Sequence, residues 1–402
     1  MLPALPRRAV VLGGLTDWCD GLEAAGVEVV PAGAVADLVV APAVLARDAA
    51  SLGVGTVLVD GAVRSLPGMA SRRILTLPRT NAPQYVIDPA QRAAAAYAGS
   101  LLPRFSRVAP AVLASGVRMP LAAVTVGARV PGRPAVLASA AELGAERGGE
   151  WFLALGSGGV RRRAVFYVFP PGAKAPAQVV KFGRVAGEYG AFDRDERGLS
   201  LALAAGSVVA DKAPRLVGRG DACGLPASVE TALPGVRLTP SVAAAEPVVA
   251  WLRAVATSTV SRGPDGEPRV FRHGDVFPGN VVVTGSGFGL VDWEHADPAG
   301  LPLADLLFFA AHVVDGDPVE TFAAGSPVLA RWLRDAAGDL GLSGDQVVDI
   351  AWRTWEAHGG RARAARVLRE SLTGQTVAPY LPERIADAWT SDPRLGRHWR
   401  PW

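Results

Sequence analysis

The sequence predicts an α+β protein, because strands and helices occur in separate stretches after an alternating start. Between residues 8 and 60, short apolar strands alternate with helical segments. Strands bounded by Gly and Pro dominate residues 151–233, and helical periodicity returns from residue 246 onward. A chain of 402 residues, half of them apolar, can build two or three domains with sizeable cores.

The alternating stretch at the start predicts a small α/β (Rossmann-like) domain over residues 1–75. Apolar strands are expected at residues 8–14, 27–31, 36–42 and 56–60, with a short helix at 15–25. Gly13 and Gly14 follow the first strand, but the dinucleotide fingerprint G-x-G-x-x-G is absent, which favours a tight strand-to-helix turn. Residues 76–132 are interrupted by prolines and predict a connector with short helices.

Composition narrows the classes of partner. The formal net charge of +3 is too small to indicate a nucleic-acid or membrane partner. The two cysteines, Cys19 and Cys223, lack metal-ligand spacing and fit a reducing compartment. Neither a secretory signal nor an apolar run of membrane-spanning length is recognisable, so we expect a cytoplasmic protein.

Residues 271–309 carry the most specific pattern in the chain. His273-Gly274-Asp275 is followed by Asn280 and an apolar run, then by a Gly-rich turn and a second apolar run ending at Asp292. Two such runs around a Gly-rich turn predict a β-hairpin, whose open end brings Asn280 close to Asp292. Asp275 lies one short turn earlier and is expected at the same edge.

Two carboxylates and an amide that converge in this way suit phosphoryl transfer. One carboxylate, that of Asp275, can accept the proton of a substrate hydroxyl group. The amide oxygen of Asn280 and the carboxylate of Asp292 are hard oxygen ligands of the kind that hold Mg²⁺ beside phosphates. The alternative is a surface hairpin with ordinary turn chemistry, which leaves the spacing unexplained.

The pattern H-G-D-x-x-x-x-N, followed by Val-Asp-Trp-Glu and G-x-P-x-x-D-L, resembles the aminoglycoside phosphotransferase and choline kinase family. The resemblance covers residues 145–385 and implies a bilobal protein-kinase-like fold. It implies a small β-rich N-lobe over residues 133–235 and a helical C-lobe over residues 236–402. It also implies ATP and Mg²⁺ as cofactors.

The same resemblance extends to the nucleotide phosphates. A strand, a glycine-rich turn and a second strand at residues 151–169 are typical of a loop that covers phosphates. The residues of this turn are Gly156, Ser157, Gly158 and Gly159. Lys181, one of only three lysines, ends the next strand, where the family places its phosphate-contacting lysine. The following helix offers Glu196 as the carboxylate that holds Lys181, with Glu188 as the alternative.

Three further sets of residues can be interpreted from the same resemblance and from their chemistry. The backbone of Glu230, Thr231 and Ala232 is offered as the location that contacts adenine, since the residues after it resemble the family's hinge. Arg161, Arg162 and Arg163 could reach an anion, although a solvated edge is the simpler interpretation of such a run. We expect His273 and Asp305 to brace their surroundings rather than to act as base or metal ligand.

These observations predict an ATP- and Mg²⁺-dependent kinase that phosphorylates a hydroxyl group of a small molecule. From residue 315 onward the chain has 12 acidic residues and 11 arginines, a balance that favours a neutral or anionic alcohol such as a sugar over a polycation. One competing hypothesis is a nucleotide-binding regulatory protein that keeps the fold without transferring phosphate. A third is an N-terminal domain with its own activity, for which we find no catalytic residues.

Overall fold

The computed structural model describes most of the chain up to residue 354. The described residues are 6–24, 26–52, 54, 56–60, 63, 65–77, 85–101, 122–128, 132–155, 163–313, 327–347, 349–351 and 353–354. They form two compact units. The first comprises residues 1–192 with 215–234, and the second comprises residues 193–214 with 235–402.

The first unit is organised around a single sheet of twelve strands. In chain order the strands are β1 (Arg8–Val11), β2 (Glu28–Val30), β3 (Leu38–Pro42), β4 (Thr56–Asp60), β5 (Ala70–Leu77), β6 (Tyr85–Ile87), β7 (Ala122–Ala128), β8 (Trp151–Leu155), β9 (Ala164–Val168), β10 (Gln178–Phe182), β11 (Leu216–Ala222) and β12 (Leu225–Thr231). Their order across the sheet is β11-β12-β10-β9-β8-β6-β5-β7-β4-β3-β1-β2. The described part of this unit also contains the helices α1 (Thr16–Ala24), α2 (Ala46–Ser51), α3 (Arg92–Ser100) and α4 (Ala135–Ser139).

One end of this sheet is parallel and the remainder is antiparallel. Strand β1 pairs in parallel with β2 and β3, and β3 pairs in parallel with β4, as the alternating pattern predicts. Parallel strands need crossover connections, and α1 and α2 supply two of them. Buried valines fill both faces of β3, which is typical of a parallel strand covered on each side.

The interval 76–132 contributes more strand than the sequence indicates. It contains α3, but also β6 and β7, which pair with their neighbours in the sheet. Strand β6 has three residues, too few for an alternating pattern to be visible. These strands connect the parallel end of the sheet to the antiparallel end without a break.

The second unit combines helices with two small sheets. Among its described residues, the helices are α5 (Gly190–Ala204, which begins in the first unit), α6 (Ser207–Ala210), α7 (Val242–Thr259), α8 (Ala304–Val313) and α9 (Pro327–Asp339), and further helical residues lie between positions 344 and 354. Its strands are β13 (Val236–Arg237), β14 (Ser261–Arg262), β15 (Pro268–Arg272), β16 (Val281–Thr284), β17 (Gly287–Leu290) and β18 (Asp297–Gly300). The sheet orders are β13-β16-β17 and β14-β15-β18.

Helix α7 begins earlier than the sequence predicts. Ser241 caps it by accepting the N–H group of Ala244 at 3.2 Å, so the helix begins at Val242 rather than at Glu246. Pro247 therefore lies in the second turn, whereas a helix that began at residue 246 would place it in the first. The buried side of α7 includes Val248, Leu252 and Val255.

None of the helices that the structure describes is both long and apolar enough to cross a lipid bilayer.

The helical pattern that we expect from residue 326 is confirmed by α9. The rest of that pattern, beyond residue 354, lies outside the described residues.

Candidate active site

The predicted hairpin is present, and its open end brings Asn280 next to the segment that carries Asp292. Strands β16 and β17 pair antiparallel, with Val281 opposite Leu290. The N–H group of Val291 then donates to the carbonyl oxygen of Asn280 at 3.0 Å. Asn280 itself ends a short 3₁₀ turn that begins at Pro278, which directs the chain into β16.

Asp275 is held by the amide of Asn280. The Nδ2 atom of Asn280 donates to the carboxylate Oδ2 of Asp275 at 2.9 Å and to its backbone oxygen at 3.1 Å. These two bonds orient the Asp275 carboxylate. Both side chains are only partly buried, so the carboxylate is still accessible from the surface. An oriented carboxylate of this kind can accept a proton from a hydroxyl group placed against it.

His273 is a structural residue of the loop. Its ring is 1% exposed and packs against the indole of Trp293, with ring centroids 4.4 Å apart. The Nδ1 atom accepts the N–H group of Asp275 at 3.2 Å, so Nε2 carries the proton and donates to the carbonyl oxygen of Val291 at 3.2 Å. Both ring nitrogens are therefore occupied in holding the loop.

Burial also keeps the His273 ring neutral. Removal from water lowers the pKa of His273 below its usual value. The negative charges of Asp305, Asp275 and Asp292 act in the opposite direction and offset only part of this effect. A neutral ring with both nitrogens bonded is suited to bracing the loop.

Asp305 braces the same loop from the first turn of α8. Its carboxylate accepts the N–H group of His273 at 2.7 Å and that of Gly274 at 3.1 Å. The Arg272 side chain forms an ion pair with it at 3.3 Å. These contacts agree with the expected bracing role, and they leave Asp305 turned toward the loop backbone.

Two backbone conformations in this region are restricted. Gly274 has a φ of +83°, and a Cβ atom there would lie 2.9 Å from the carbonyl carbon of His295. Asp292 has a φ of +63°, which is uncommon for a residue with a side chain and is often found at functional sites. The chain therefore bends sharply at both places to bring its polar groups to one edge.

The side chains of Asn280 and Asp292 carry oxygen donors of the kind that Mg²⁺ takes. Because Nδ2 of Asn280 faces Asp275, the amide oxygen points away from that carboxylate and remains a ligand candidate. Throughout the described ranges no group of three or more His, Cys, Asp and Glu side chains is arranged to hold a metal ion. A pair such as Asn280 and Asp292 suits Mg²⁺ in particular, since this ion takes few protein ligands and completes its shell with water and phosphate oxygens.

Lys181 lies in the first unit, at the end of β10 and 5% exposed. Its Nζ atom lies 2.9 Å from the carboxylate of Glu230, a residue that the sequence assigns to the adenine-contacting segment. Glu196 lies in α5, as predicted, and its role toward Lys181 remains a prediction. Sequence reasoning missed Glu230 as a partner of Lys181, because the two residues meet only through the pairing of β10 with β12.

The backbone of the predicted adenine-contacting segment is largely used by the sheet. The N–H group of Thr231 donates to the carbonyl oxygen of Arg215 at 2.9 Å, and that of Ala232 donates to Ala177 at 2.8 Å. An adenine ring in this segment would therefore have to use carbonyl groups or the next N–H groups along the chain.

Part of the predicted nucleotide site lies outside the described residues. This is true of Gly156, Ser157, Gly158 and Gly159, and also of Arg161 and Arg162. The strands on either side of the turn, β8 and β9, are paired as predicted. Arg163 is partly buried and lies over the ring of Phe192 at 5.9 Å.

Phe277 is a second residue that the sequence analysis did not single out. It lies two positions after Asp275 and is 43% exposed, which is unusual for an aromatic side chain beside a candidate base. The edge of the His312 ring supports it at 5.0 Å, and Gly279 provides room for its ring. Exposure of this kind is not visible in a sequence.

The oriented carboxylate and the braced loop agree with the phosphotransferase of protein-kinase-like fold that the sequence predicts. Residues 71–339 match the model of the phosphotransferase enzyme family. This interval covers more than half of the 402 residues, and the chain belongs to that family. It is therefore an enzyme that transfers a phosphoryl group to a hydroxyl group of a small molecule. No curated protein sequence matches the chain.

Several solved structures are similar at low identity. An aminoglycoside phosphotransferase, APH(3'')-Id from Streptomyces rimosus, is 15% identical, with a TM-score of 0.35 over 51% of this chain and 90% of that one. The bifunctional kinase-methyltransferase WbdD is 13% identical, with a TM-score of 0.30 over 86% and 88% of the two chains. A glucosamine kinase is 16% identical, with a TM-score of 0.24 over 67% and 84%. Similarity at this level assigns no substrate to the present chain.

Proposed function

We propose that this protein transfers the γ-phosphoryl group of ATP, with Mg²⁺, to a hydroxyl group of a small sugar-like alcohol. The observation that carries the proposal is the hydrogen bond from Asn280 to the carboxylate of Asp275. It joins the candidate base to the candidate metal ligand, so that one rigid loop would present both. A hairpin with only a structural role has no need for this arrangement.

Asp275 orients the acceptor hydroxyl group and takes up its proton. Phosphoryl transfer passes through a loose transition state in which the attacking oxygen keeps its proton until late, so positioning matters more than basicity. The bond from Asn280 and the loop contacts of His273 and Asp305 fix the carboxylate. Fixing the carboxylate in advance lowers the entropic cost of aligning the reaction.

Asn280 and Asp292 hold the metal ion through their side-chain oxygens. Bound Mg²⁺ supplies positive charge that offsets the charge of the phosphate oxygens as the transferred group leaves. The positive φ of Asp292 and the hydrogen bond from Val291 to Asn280 constrain the backbone positions of the two ligand residues.

Lys181 binds the phosphates of the nucleotide, and the glycine-rich turn at residues 156–159 covers them. The role of Lys181 is supported by its burial, because a lysine that is 5% exposed is rare unless it is paired or functional. The role of the turn is supported by the pairing of β8 with β9, which flank it. The resemblance to the family provides both assignments.

The acceptor is proposed to be a neutral or anionic ring-bearing alcohol such as a sugar. The near-neutral balance of charges after residue 315 gives no acidic excess that would attract a polycation. The exposed ring of Phe277, two residues after the candidate base, offers an apolar surface against which the face of a sugar ring can pack.

The experiment is a mass-spectrometric search for phosphorylated products. Purified protein and its Asp275→Ala variant are incubated separately with a cytoplasmic metabolite extract, ATP and MgCl₂. The proposal predicts a phosphorylated compound that appears only with the unmutated protein. If no phosphorylated compound appears with either protein while ATP still binds, the regulatory hypothesis without transfer is favoured instead.

A further inference from the structure

Lys181, Ser228 and Glu230 form a buried polar group on one face of the sheet in the first unit. Strands β10 and β12 pair antiparallel, with Lys181 directly opposite Ser228. Glu230 lies two residues after Ser228 and thus on the same face. The Nζ atom of Lys181 is 2.9 Å from Oε1 of Glu230, and the Ser228 hydroxyl group is 3.5 Å from the same oxygen.

The opposite face of these two strands is the apolar core. Val180, Ala227 and Val229 alternate with the polar residues and pack into the main cluster of buried residues in this unit. The sequence thus places its apolar residues on one side of the pair and its charged residues on the other. All three polar residues are nevertheless buried, at 5%, 4% and 1% exposed for Lys181, Ser228 and Glu230.

A buried ion pair of this kind is not explained by stability. The cost of removing two charges from water commonly equals or exceeds the attraction between them, and apolar replacements of similar size are often as stable. The basic residues of this chain are almost all arginine, with lysine at only three positions. A lysine in the interior of the sheet, held by a carboxylate, is instead typical of an ionisable group at a functional site.

We propose that Glu230 is a positioning residue that holds the ammonium group of Lys181 in place for the nucleotide phosphates. This inference rests on the proposed function, since it assigns the phosphate contact to Lys181. An ammonium group has three N–H donors, and the contact with Glu230 fixes the direction of one of them. Glu230 thus acts through its side chain on the phosphate end of the nucleotide, rather than only through its backbone on adenine.

The inference differs from the role implied for Glu196. The family resemblance assigns the partner of the lysine to a helix, whereas Glu230 belongs to the strand β12. A strand partner is held by the sheet register itself, because five residue pairs join β10 to β12. The pairing of these two strands then fixes the position of the ammonium group.

The experiment compares the affinities of two ligands, ATP with Mg²⁺ and adenosine, by titration calorimetry. The proteins are the unmutated chain, Glu230→Gln, Glu230→Asp and Glu28→Gln as the matched control. Glu28 belongs to the same sheet, and its side chain is 66% exposed. Glu230→Gln is expected to weaken ATP binding about tenfold or more, which corresponds to the loss of one charge-assisted contact, and to leave adenosine binding unchanged. Glu230→Asp is expected to recover part of the ATP affinity, and Glu28→Gln to retain all of it.

A double-mutant cycle shows whether Glu230 acts through Lys181. In a Lys181→Met background, Glu230→Gln is expected to have no further effect on ATP affinity, because the group that it positions is gone. This double variant buries no unpaired charge, so it remains informative if Glu230→Gln alone does not fold.

Three results would overturn the inference. They are an unchanged ATP affinity in Glu230→Gln, an equal weakening of ATP and adenosine, and a full additional loss in the Lys181→Met background. A different result separates this inference from the proposed function. If the unmutated chain and Glu28→Gln bind neither ATP nor adenosine, the proposed function itself fails and the inference fails with it.

Discussion

The amide of Asn280 donates to Asp275 twice, to its carboxylate at 2.9 Å and to its backbone oxygen at 3.1 Å. The two contacts close the turn between the residues and fix the carboxylate relative to the start of β16. Because the amide nitrogen of Asn280 is bonded to Asp275, the amide oxygen is the atom that can bind a cation.

Gly274→Ala should damage the loop, because the φ of +83° disfavours a side chain and the new Cβ would contact the backbone of His295. We expect a loss of about 2 kcal/mol or more in the free energy of unfolding, together with a large loss of turnover. Urea denaturation and a phosphoryl-transfer assay measure the two effects. Gly285→Ala is the control, since a Cβ atom added there, in the hairpin turn, would meet nothing within 4 Å. Equal effects of the two substitutions would contradict this account.

Asp305→Ala removes the carboxylate that accepts from His273 and Gly274 and pairs with Arg272. Because these donors are buried or partly buried, their loss of a partner should cost about 3 kcal/mol or more in the free energy of unfolding. Asp265→Ala is the matched control, since its pair with Arg269 is 46% exposed on the carboxylate side and should cost less than about 1 kcal/mol. Chemical denaturation of both variants measures the difference. Asp305→Ala with the stability of the control would show that the brace is dispensable.

His273 should remain neutral, with its proton on Nε2, when the protein is acidified from pH 7.5 to about pH 6.5, the usual pKa of a free imidazole. Because burial lowers the pKa of His273 in the folded protein, the unfolded chain takes up a proton near pH 6.5 that the folded chain does not. The contribution of His273 to stability is therefore complete above that pH and decreases as the pH falls below it. The ¹⁵N chemical shifts of the ring measure tautomer and charge directly. A ring that protonates at or above pH 6.5 would contradict the assignment.

Asn280→Ala and Asp292→Asn should each weaken the dependence of nucleotide affinity on Mg²⁺. In the unmutated chain we expect ATP to bind more tightly as MgCl₂ is added, because the ion joins the phosphates to these two side chains. Each substitution should raise the MgCl₂ concentration needed for half of this effect about tenfold or more, by analogy with other losses at metal sites. Titration calorimetry at several MgCl₂ concentrations measures it. Asp297→Asn, an exposed carboxylate in β18, should behave as the unmutated chain does.

The sequence predicted the part of the site that depends on local structure. Asn280 and the segment that carries Asp292 come together because a short hairpin joins them, and both its turn and its apolar runs are visible in the sequence. The fold class and most strands follow for the same reason. The contact of Glu230 with Lys181 was missed because it depends on the pairing of strands that are far apart in the chain. The continuity of the twelve-stranded sheet depends likewise on β6, whose three residues show no periodicity.

The measurement that tests the central claim most directly compares turnover with nucleotide binding in Asp275→Asn, with the acceptor found by the product search. This substitution keeps the size of the side chain but removes its ability to accept a proton. We predict that kcat falls about 100- to 10,000-fold while the Kd for ATP with Mg²⁺ changes less than about threefold. If kcat stays within a few fold of the unmutated value, or if it falls only as far as ATP binding does, Asp275 is not the residue that receives the proton of the acceptor.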